Sequence, residues 1–276
     1  MTTTRKPIIF TDLDGTLLDP KTYSYEPAEP VLDLIRKKNI PLILSSSKTR
    51  AEIELYRKRL GNDHPFISEN GGAVFIPKDY FSFRFPYHRE LDGYFVLELG
   101  TFYLQIIDVL ESVKKETRIR IKGFSDLTAK ELKSLCGLSL EQAELAKKRE
   151  YDEPFIIEGS EKEVDLVKGK IKQRGLNYVW GGRFHHILGK NDKGKAVEIL
   201  KELYENQFFS ILTIGIGDSL NDLPMLRAVE HPIFLKEKRI LSIKIPLKIK
   251  NLIIMDGTGP HVWNEAIFQV VNSLKI

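Results

Sequence analysis

The sequence has few cysteines and lacks long apolar runs. It contains a single cysteine, Cys136, among its 276 residues. No disulfide can therefore form within the chain, and we expect a protein of the reducing cytoplasm. No apolar run reaches the roughly 18 to 20 residues that cross a bilayer, so we predict no membrane partner. The first segment, MTTTRKPIIFTDLDG, also lacks the apolar stretch and small-residue cleavage site of a signal peptide.

An excess of charge of one sign is also missing. Lys and Arg number 42 against 38 Asp and Glu, which gives a formal net charge of +4. Basic residues alternate with acidic ones, as in SEKEVDLVKGK, and this pattern is typical of a solvated surface. We therefore predict no nucleic-acid partner. The length is comfortable for two domains of an ordinary globular protein.

Strands and helices alternate in the first and last thirds of the chain. Apolar runs at 7–11, 40–44 and 211–216 predict buried strands, and segments with apolar residues at helical spacing lie between them. Thr49 and Glu52 form a predicted capping box for a helix that begins near Arg50. This alternation favours a parallel sheet with helices on both faces. We also predict an edge strand at 243–249.

The middle of the chain has a different pattern. Short apolar segments predict several strands with helices between them, and two strands joined through Gly181 and Gly182 predict an antiparallel hairpin. We interpret residues 1–82 and 189–276 as an α/β core, and residues 83–188 as an inserted α+β domain.

Two aspartates, Asp12 and Asp14, follow the first predicted strand. Open α/β sheets bind ligands at this end of their strands, and Gly15 allows a sharp turn there. One carboxylate can attack phosphorus, and the other can donate a proton to the leaving oxygen and later accept one from water. Because two carboxylates and a phosphate repel one another, we expect a hard dication such as Mg²⁺.

The segment Asp-Leu-Asp-Gly-Thr resembles the first motif of the haloacid dehalogenase (HAD) superfamily. The resemblance implies a nucleophilic Asp12, an acid/base Asp14 and bound Mg²⁺. It also implies an α/β fold with a Rossmann-like parallel-sheet core and an inserted α+β (class IIB) cap.

The serines after the second predicted strand resemble the second motif of that superfamily. Hydroxyl and backbone N–H groups before a helix make a natural phosphate cradle. The motif has one Ser or Thr at this position. The alignment selects Ser46, with Ser45 as the alternative.

Two later segments resemble the third and fourth motifs. Lys193 would neutralise the nucleophile and the transferring phosphoryl group, with Lys190 and Lys195 as nearby alternatives. The segment 217–222 reads Gly-Asp-Ser-Leu-Asn-Asp and matches the fourth motif. The resemblance implies that Asp218 binds the metal and that its neighbours hold the site through hydrogen bonds or water. The implied metal-binding set is Asp12, Asp14, Asp218 and Asp222.

Further segments resemble the mannosyl-3-phosphoglycerate phosphatase family within the superfamily. They are SSKTRAE at 46–52, ENGGA at 69–73 and GGRFH at 181–185. The resemblance implies a small phosphorylated sugar acid as substrate, and mannosylglycerate as product. Such a substrate carries a carboxylate and a phosphate, so it needs cations besides the catalytic lysine. The candidate substrate-binding residues are Ser47, Lys48, Arg50, Asn70, Gly71, Gly72, Arg149, Arg183, His185 and Asn221.

Two other classes of function are alternatives. One is another capped sugar phosphatase, such as a sucrose-phosphate type, or a phosphomannomutase, because these share the core motifs. The other is a sugar-phosphate-binding regulator without catalysis. The complete set of acidic residues and the lysine argues against a regulator.

Overall fold

A computed structural model describes residues 5–236 and 249–274 of the chain. Its strands are β1 Lys6–Thr11, β2 Leu42–Ser45, β3 Phe66–Ser68, β4 Ala73–Pro77, β5 Arg89–Leu91, β6 Tyr94–Glu98, β7 Arg120–Gly123, β8 Asp152–Glu158, β9 Asn177–Trp180, β10 His185–Leu188, β11 Ile211–Gly217, β12 His231–Lys236 and β13 Ile253–Asp256. Its α-helices are α1 Glu29–Lys37, α2 Arg50–Leu60, α3 Tyr103–Thr117, α4 Ala129–Cys136, α5 Leu140–Ala146, α6 Glu161–Gln173, α7 Lys193–Phe208, α8 Leu223–Ala228 and α9 Pro260–Ser273. The edge strand predicted at 243–249 lies outside the described residues, apart from its last position.

The larger sheet confirms the predicted parallel core. Its strand order is β13-β12-β11-β1-β2-β3-β4-β6-β5. The six strands from β13 to β3 are parallel, and β4, β6 and β5 extend the sheet by antiparallel pairing. Since all the parallel strands point the same way, the loops that follow β11, β1 and β2 lie at one edge of the sheet.

Helices cover both faces of this sheet because its central strands are apolar on both sides. In β1, Ile9 belongs to a core layer that includes residues of α1, α2 and α9. Its neighbours Ile8 and Phe10 belong to the opposite layer, with residues of α7 and α8. Successive side chains of a strand point to opposite faces, so one short apolar run contributes to two cores.

A second sheet is formed entirely by the middle of the chain. Its order is β7-β8-β10-β9, and all its pairs are antiparallel. The pairing of β9 with β10 confirms the hairpin predicted at Gly181-Gly182. Helices α3 and α6 pack on this sheet through apolar residues such as Ile106, Val167 and Ile171.

The structure moves the first boundary of the inserted segment. Strands β5 and β6, within residues 89–98, pair with β4 in the larger sheet. The change in the pattern of predicted strands and helices near Phe83 had placed these residues in the insertion. Their hydrogen bonds instead make them the edge of the core, and the inserted part begins after Gly100.

Several helix ends are set by local sequence signals. Thr49 and Glu52 form the predicted capping box of α2, and Gly61 ends that helix in the left-handed conformation. Capping boxes also begin α5 at Ser139 and α6 at Ser160. Within the described ranges, no helix is both long and apolar enough to cross a membrane.

Candidate active site

The four motif segments meet at one edge of the larger sheet. Strands β11, β1 and β2 are adjacent and parallel. Asp12 follows β1, Asp218 follows β11, Ser46 follows β2 and Lys193 begins α7. Residues far apart in the sequence therefore lie close together at this edge.

The ammonium of Lys193 lies between two carboxylates. Its Nζ donates to Oδ1 of Asp12 and to Oδ1 of Asp222, both at 2.6 Å, and the residue is 0% exposed. Burial lowers the pKa of Lys193, but the charges of both aspartates outweigh burial and raise it, so the group stays charged. The alternative candidates Lys190 and Lys195 are exposed.

The carboxylates at this edge are crowded and buried. Burial raises the pKa of Asp12 to about 7, with Lys193 opposing the rise and Asp222 adding to it. Burial also raises the pKa of Asp218, and repulsion by Asp12 and Asp222 raises it further. A cation placed among these groups would relieve their repulsion.

Asp12, Asp218 and Asp222 can hold a metal ion. One oxygen atom of each lies within 4.8 Å of the others, and such hard oxygen donors suit Mg²⁺. Both oxygen atoms of Asp222 already accept hydrogen bonds, from Lys193 and from two backbone N–H groups. Asp218 accepts from Thr16 at 3.0 Å and, within the part of the chain described, from no other donor. Asp12 and Asp218 therefore keep oxygen atoms for a metal, whereas Asp222 fits a supporting position.

The side chain of Asp14 lies outside that group of carboxylates. Its Oδ2 is 2.9 Å from Nζ of Lys48, and the side chain is 41% exposed. Lys48 is itself buried, 3.6 Å from Glu52. This geometry corrects the prediction that the carboxylate of Asp14 binds the metal, because an ammonium and not a cluster of carboxylates faces it.

A pocket of about 290 Å³ opens between the larger sheet and the inserted segment. Asp12, Asp14 and Asp218 line it from the core, and residues such as Arg149 and Trp180 line it from the insertion. The acidic edge is therefore one end of a cavity large enough for a small molecule.

Comparison with known proteins identifies the family of this chain. A model of the haloacid dehalogenase-like hydrolases matches residues 9–239, which include all four motifs. The chain belongs to the haloacid dehalogenase-like hydrolases. A glucosyl-3-phosphoglycerate/mannosyl-3-phosphoglycerate phosphatase from Methanococcoides burtonii is 50% identical over 266 residues, 96% of this chain and 97% of that protein. A protein of the same name from Persephonella marina is 43% identical over 272 residues, 97% of this chain and 98% of that one.

Solved structures show the same fold. A HAD subclass IIB sugar phosphatase aligns over 99% of this chain and 99% of its own, with a TM-score of 0.62 and 16% identity. This haloacid dehalogenase-like hydrolase therefore has the core and the type of insertion that the resemblance implied.

The serines after β2 differ in their hydrogen bonds. Oγ of Ser46 accepts from the backbone N–H of Lys48 at 3.2 Å, which leaves its hydroxyl hydrogen to donate. Oγ of Ser45 is buried and has no partner among the described residues. Ser47 lines the pocket. Both Ser45 and Ser46 thus keep a free hydroxyl hydrogen for a phosphate oxygen.

Five predicted substrate-binding residues of this hydrolase line the pocket. They are Ser47, Lys48, Arg149, Arg183 and Asn221. Arg183 is exposed, and its guanidinium donates to the carbonyl groups at the end of α4. It therefore lies at the rim of the pocket, whereas Arg149 is buried in the wall.

The structure places Arg50 outside the pocket lining. Its guanidinium lies 3.0 Å from Glu54, 3.2 Å from Asp92 and 3.6 Å from Glu150. These acidic neighbours on the helix and on nearby loops already neutralise its charge. The structure therefore does not bring Arg50 to the pocket lining, and its contact with the substrate stays a prediction.

Asn70, Gly71 and Gly72 also lie behind the pocket wall. Gly71 has φ +82°, and a Cβ there would overlap the backbone oxygen of Asp192. A Cβ at Gly72 would overlap the side chain of Tyr151. The glycines are therefore explained by close packing of this turn against other segments and not by contacts with a sugar.

His186, and not the predicted His185, faces the pocket. Both follow the hairpin turn in β10, where successive side chains point to opposite faces. The ring of His185 packs against Phe155 and Trp180, with ring centroids 5.5 and 4.7 Å away. His186 is 4% exposed and lines the cavity.

Other lining residues carried no clear signal in the sequence. Tyr23 lies in the loop after β1, and its hydroxyl donates to the carbonyl of Cys136 in the inserted segment. Trp180 and Phe184 come from the hairpin. The resemblance of the segment GGRFH indicated Arg183, but it did not indicate the aromatic residues Trp180 and Phe184.

Replacing Gly15 with alanine should lower both stability and activity. Gly15 has φ +76°, and a Cβ there would lie 2.5 Å from Oδ2 of Asp218. We expect a loss of about 1–3 kcal/mol in the free energy of unfolding, since a strained backbone is combined with displacement of a metal-site carboxylate. Thermal unfolding and phosphate release would measure the two effects.

Gly93→Ala is the matched control for this change. Gly93 has φ +87°, and among the residues that the structure describes none has an atom within 4 Å of the position its Cβ would take, its chain neighbours apart. Gly93→Ala should therefore lower the free energy of unfolding through backbone strain but leave the activity unchanged. Equal loss of activity in both variants would contradict a specific contact between Gly15 and Asp218.

Proposed function

We propose that this haloacid dehalogenase-like hydrolase is a phosphatase that releases phosphate from glucosyl-3-phosphoglycerate and mannosyl-3-phosphoglycerate. The observation that carries the proposal is the buried Lys193 ammonium between Asp12 and Asp222, at the acidic edge that forms one end of the pocket. The names of the two relatives, at 50% and 43% identity over almost the whole chain, support these substrates.

Asp12 is the nucleophile in this proposal. A free carboxylate oxygen attacks phosphorus, the bond to the leaving oxygen breaks, and an aspartyl phosphate forms. Lys193 holds the other oxygen at 2.6 Å, which orients the group, and its charge opposes the rise in the pKa of Asp12 that burial causes. Asp14 donates a proton to the leaving oxygen and then takes one from the attacking water. Its partial exposure to the pocket allows both transfers.

Mg²⁺ is the proposed cofactor. Asp12 and Asp218 would bind it directly, while Asp222 holds the backbone of the Asp218 loop through two hydrogen bonds. When bound, the ion neutralises the charge between the carboxylates and the phosphate. The hydroxyl of Ser46, with Ser45 as the alternative, would donate to a phosphate oxygen.

Residues 101–188 act as a cap in this proposal. They carry the separate antiparallel sheet and supply much of the pocket wall. A cap that covers the site excludes water and contacts the part of the substrate beyond the phosphate. Substrate choice therefore depends on this segment, while the chemistry depends on the core.

Phosphate release across a substrate panel tests the function. The panel contains glucosyl- and mannosyl-3-phosphoglycerate, hexose monophosphates and sucrose phosphate, each with Mg²⁺ and with a chelator. We expect the two glycosyl-3-phosphoglycerates to be preferred and activity to disappear with the chelator. A clear preference for hexose monophosphates or sucrose phosphate would replace the proposal with another capped phosphatase. Binding without turnover of any substrate would indicate a regulator.

Stability without metal should fall as pH rises. Folding raises the pKa of Asp12 from 3.8 to about 7, mainly through burial, and also raises that of Asp218. A carboxyl group whose pKa is higher in the folded than in the unfolded state contributes stability that is fully present below its unfolded pKa. This contribution is lost as the pH rises through its folded pKa. Mg²⁺ binds the ionised forms, so it should raise Tm more at about pH 8 than at about pH 5. Thermal unfolding with chelator and with Mg²⁺ checks this, and a larger gain at the lower pH would contradict it.

A further inference from the structure

His186 presents one ring nitrogen to the pocket while a buried carboxylate holds the other. Nδ1 lies 2.9 Å from both oxygen atoms of Asp152, which is 0% exposed. The contact with a carboxylate fixes a hydrogen on Nδ1 and leaves Nε2 for a ligand, and in the imidazolium form Nε2 also carries a hydrogen that can be donated to an anion. A Cβ at Gly181 would lie 2.8 Å from Nε2, so the glycine keeps that nitrogen uncovered.

Arg149 is held by the same aspartate. Its Nε donates to the carbonyl of Asp152 at 2.8 Å, and Nη2 donates to the carbonyl of Ser47 at 2.9 Å. The carboxylate of Glu69 is 3.6 Å from Nε. The residue is 8% exposed and lines the pocket, and Nη1 has no hydrogen-bond partner among the residues the structure describes. One nitrogen of this arginine therefore remains for a ligand.

A chain of hydrogen bonds ties this pair to the phosphate end of the site. Nδ2 of Asn70 donates to Asp152 at 2.6 Å, and Nδ2 of Asn221 donates to Oδ1 of Asn70 at 2.9 Å. Asn221 belongs to the loop that also carries Asp218. The positions of Arg149 and His186 are thus fixed relative to the acidic edge, although both residues come from the inserted segment.

The other cations of the pocket are placed differently. Lys48 is paired with Asp14 beside the phosphate end, and Arg183 lies exposed at the rim. The remaining wall is largely apolar and suits a sugar ring, with Phe124, Leu138, Trp180 and Phe184. The guanidinium of Arg149 beside the imidazolium form of His186, both acting as donors, matches a carboxylate far better than a neutral hydroxyl.

We propose that Arg149 and His186 bind the carboxylate of the glycerate group, with Asp152 as the positioning residue for both. The proposal rests on the proposed function, since it assigns one part of that substrate to one part of the pocket. The phosphate then lies at Asp12 and Lys193, the carboxylate at this pair, and the sugar against the apolar wall.

His186→Asn tests the proposal with little disturbance. The amide nitrogen of asparagine takes the place of Nδ1 and keeps a donor to Asp152, while Nε2 is lost. The Mg²⁺-loaded enzyme is assayed with glucosyl-3-phosphoglycerate and with its carboxyl methyl ester, which has the same phosphate and sugar. We expect kcat/KM for the free acid to fall by roughly 10- to 100-fold, mainly through KM. The kcat/KM of the variant for the ester should stay within about twofold of the wild-type value.

Two further variants complete the experiment. His185→Asn is the control, because that ring faces away from the pocket. This variant should leave the ratio of kcat/KM for the free acid to kcat/KM for the ester unchanged. Asp152→Asn should lower the same ratio, which a loss of stability alone does not change. Equal losses on acid and ester in His186→Asn, or no loss on either, would overturn the carboxylate site. If the wild-type enzyme ignores glucosyl-3-phosphoglycerate but hydrolyses hexose phosphates, the proposed function fails, and this subsite with it.

Discussion

Asp12→Asn should reduce phosphate release by roughly 10⁴-fold or more, as expected when a covalent nucleophile is removed. The amide has nearly the same shape as the carboxylate, but its oxygen is too weak a nucleophile to attack phosphorus. The fold should survive, because the change removes one charge from a group of carboxylates whose burial, together with their mutual repulsion, raises the pKa of Asp12 and of Asp218. Phosphate release under saturating substrate measures the loss, and thermal unfolding checks the fold.

The control for this variant is an exposed aspartate outside the pocket. Asp33→Asn removes a carboxylate of α1 that pairs with Arg36 at 2.5 Å, and its activity should equal that of the wild type. Mass spectrometry after rapid acid quenching should detect a phosphorylated peptide with Asp12 in the wild type and none in Asp12→Asn. More than about one hundredth of wild-type turnover in Asp12→Asn would contradict covalent catalysis.

The core of the site was predictable because each group follows a strand of the same parallel sheet. Once the apolar runs before Asp12 and Asp218 are read as buried strands, their ends must meet if the strands are neighbours. Among the three lysines of the third motif, Lys193 is followed by a glycine, Gly194. The physical basis of this Lys-Gly pair is visible only in the fold, where Gly194 allows close packing: a Cβ there would lie 2.6 Å from the backbone oxygen of Pro224.

The wall of the pocket was less predictable because it depends on which face of a strand is turned inward. His185 and His186 are neighbours with the same chemistry, so the residue type cannot distinguish them. Strand β10 pairs with β8 and β9 in a register that directs His186 to the cavity and His185 to the ring of Trp180. A register shift of one residue would exchange the two histidine side chains, and the register of β10 cannot be predicted from a single sequence.

The predicted start of the insertion differs from the structure for a related reason. Residues 89–98 form a hairpin whose composition resembles that of the inserted strands. Only the partner strand decides to which sheet a hairpin belongs, and here β6 pairs with β4 along five residue positions. Such pairing is a tertiary fact that local propensity does not encode. Similarly, Arg50 lies 3.2 Å from Asp92 of this same hairpin, a contact that a single sequence does not show.

Lys193→Met should damage stability and catalysis together. Methionine is close to lysine in length but carries no charge, so Asp12 and Asp222 would remain buried without their shared counter-ion. Breaking a buried charge pair by removing one partner costs about 3–5 kcal/mol of unfolding free energy. The loss of the ammonium from the nucleophile should also lower kcat/KM by roughly 10²- to 10³-fold. Urea unfolding and phosphate release with Mg²⁺ measure the two quantities.

Lys195→Met separates this effect from a general loss of charge in α7. The two lysines lie two positions apart on the same helix, but Lys195 is exposed and its pairing with Asp192 spans 3.8 Å. The control should change stability by no more than about 0.5 kcal/mol and leave turnover intact. Mg²⁺ supplies positive charge to the same carboxylates, so it should restore part of the stability of Lys193→Met but none of its activity. If Lys195→Met were the inactive variant, the assignment of the third motif would be wrong, and the charge that faces the nucleophile would have to come from elsewhere.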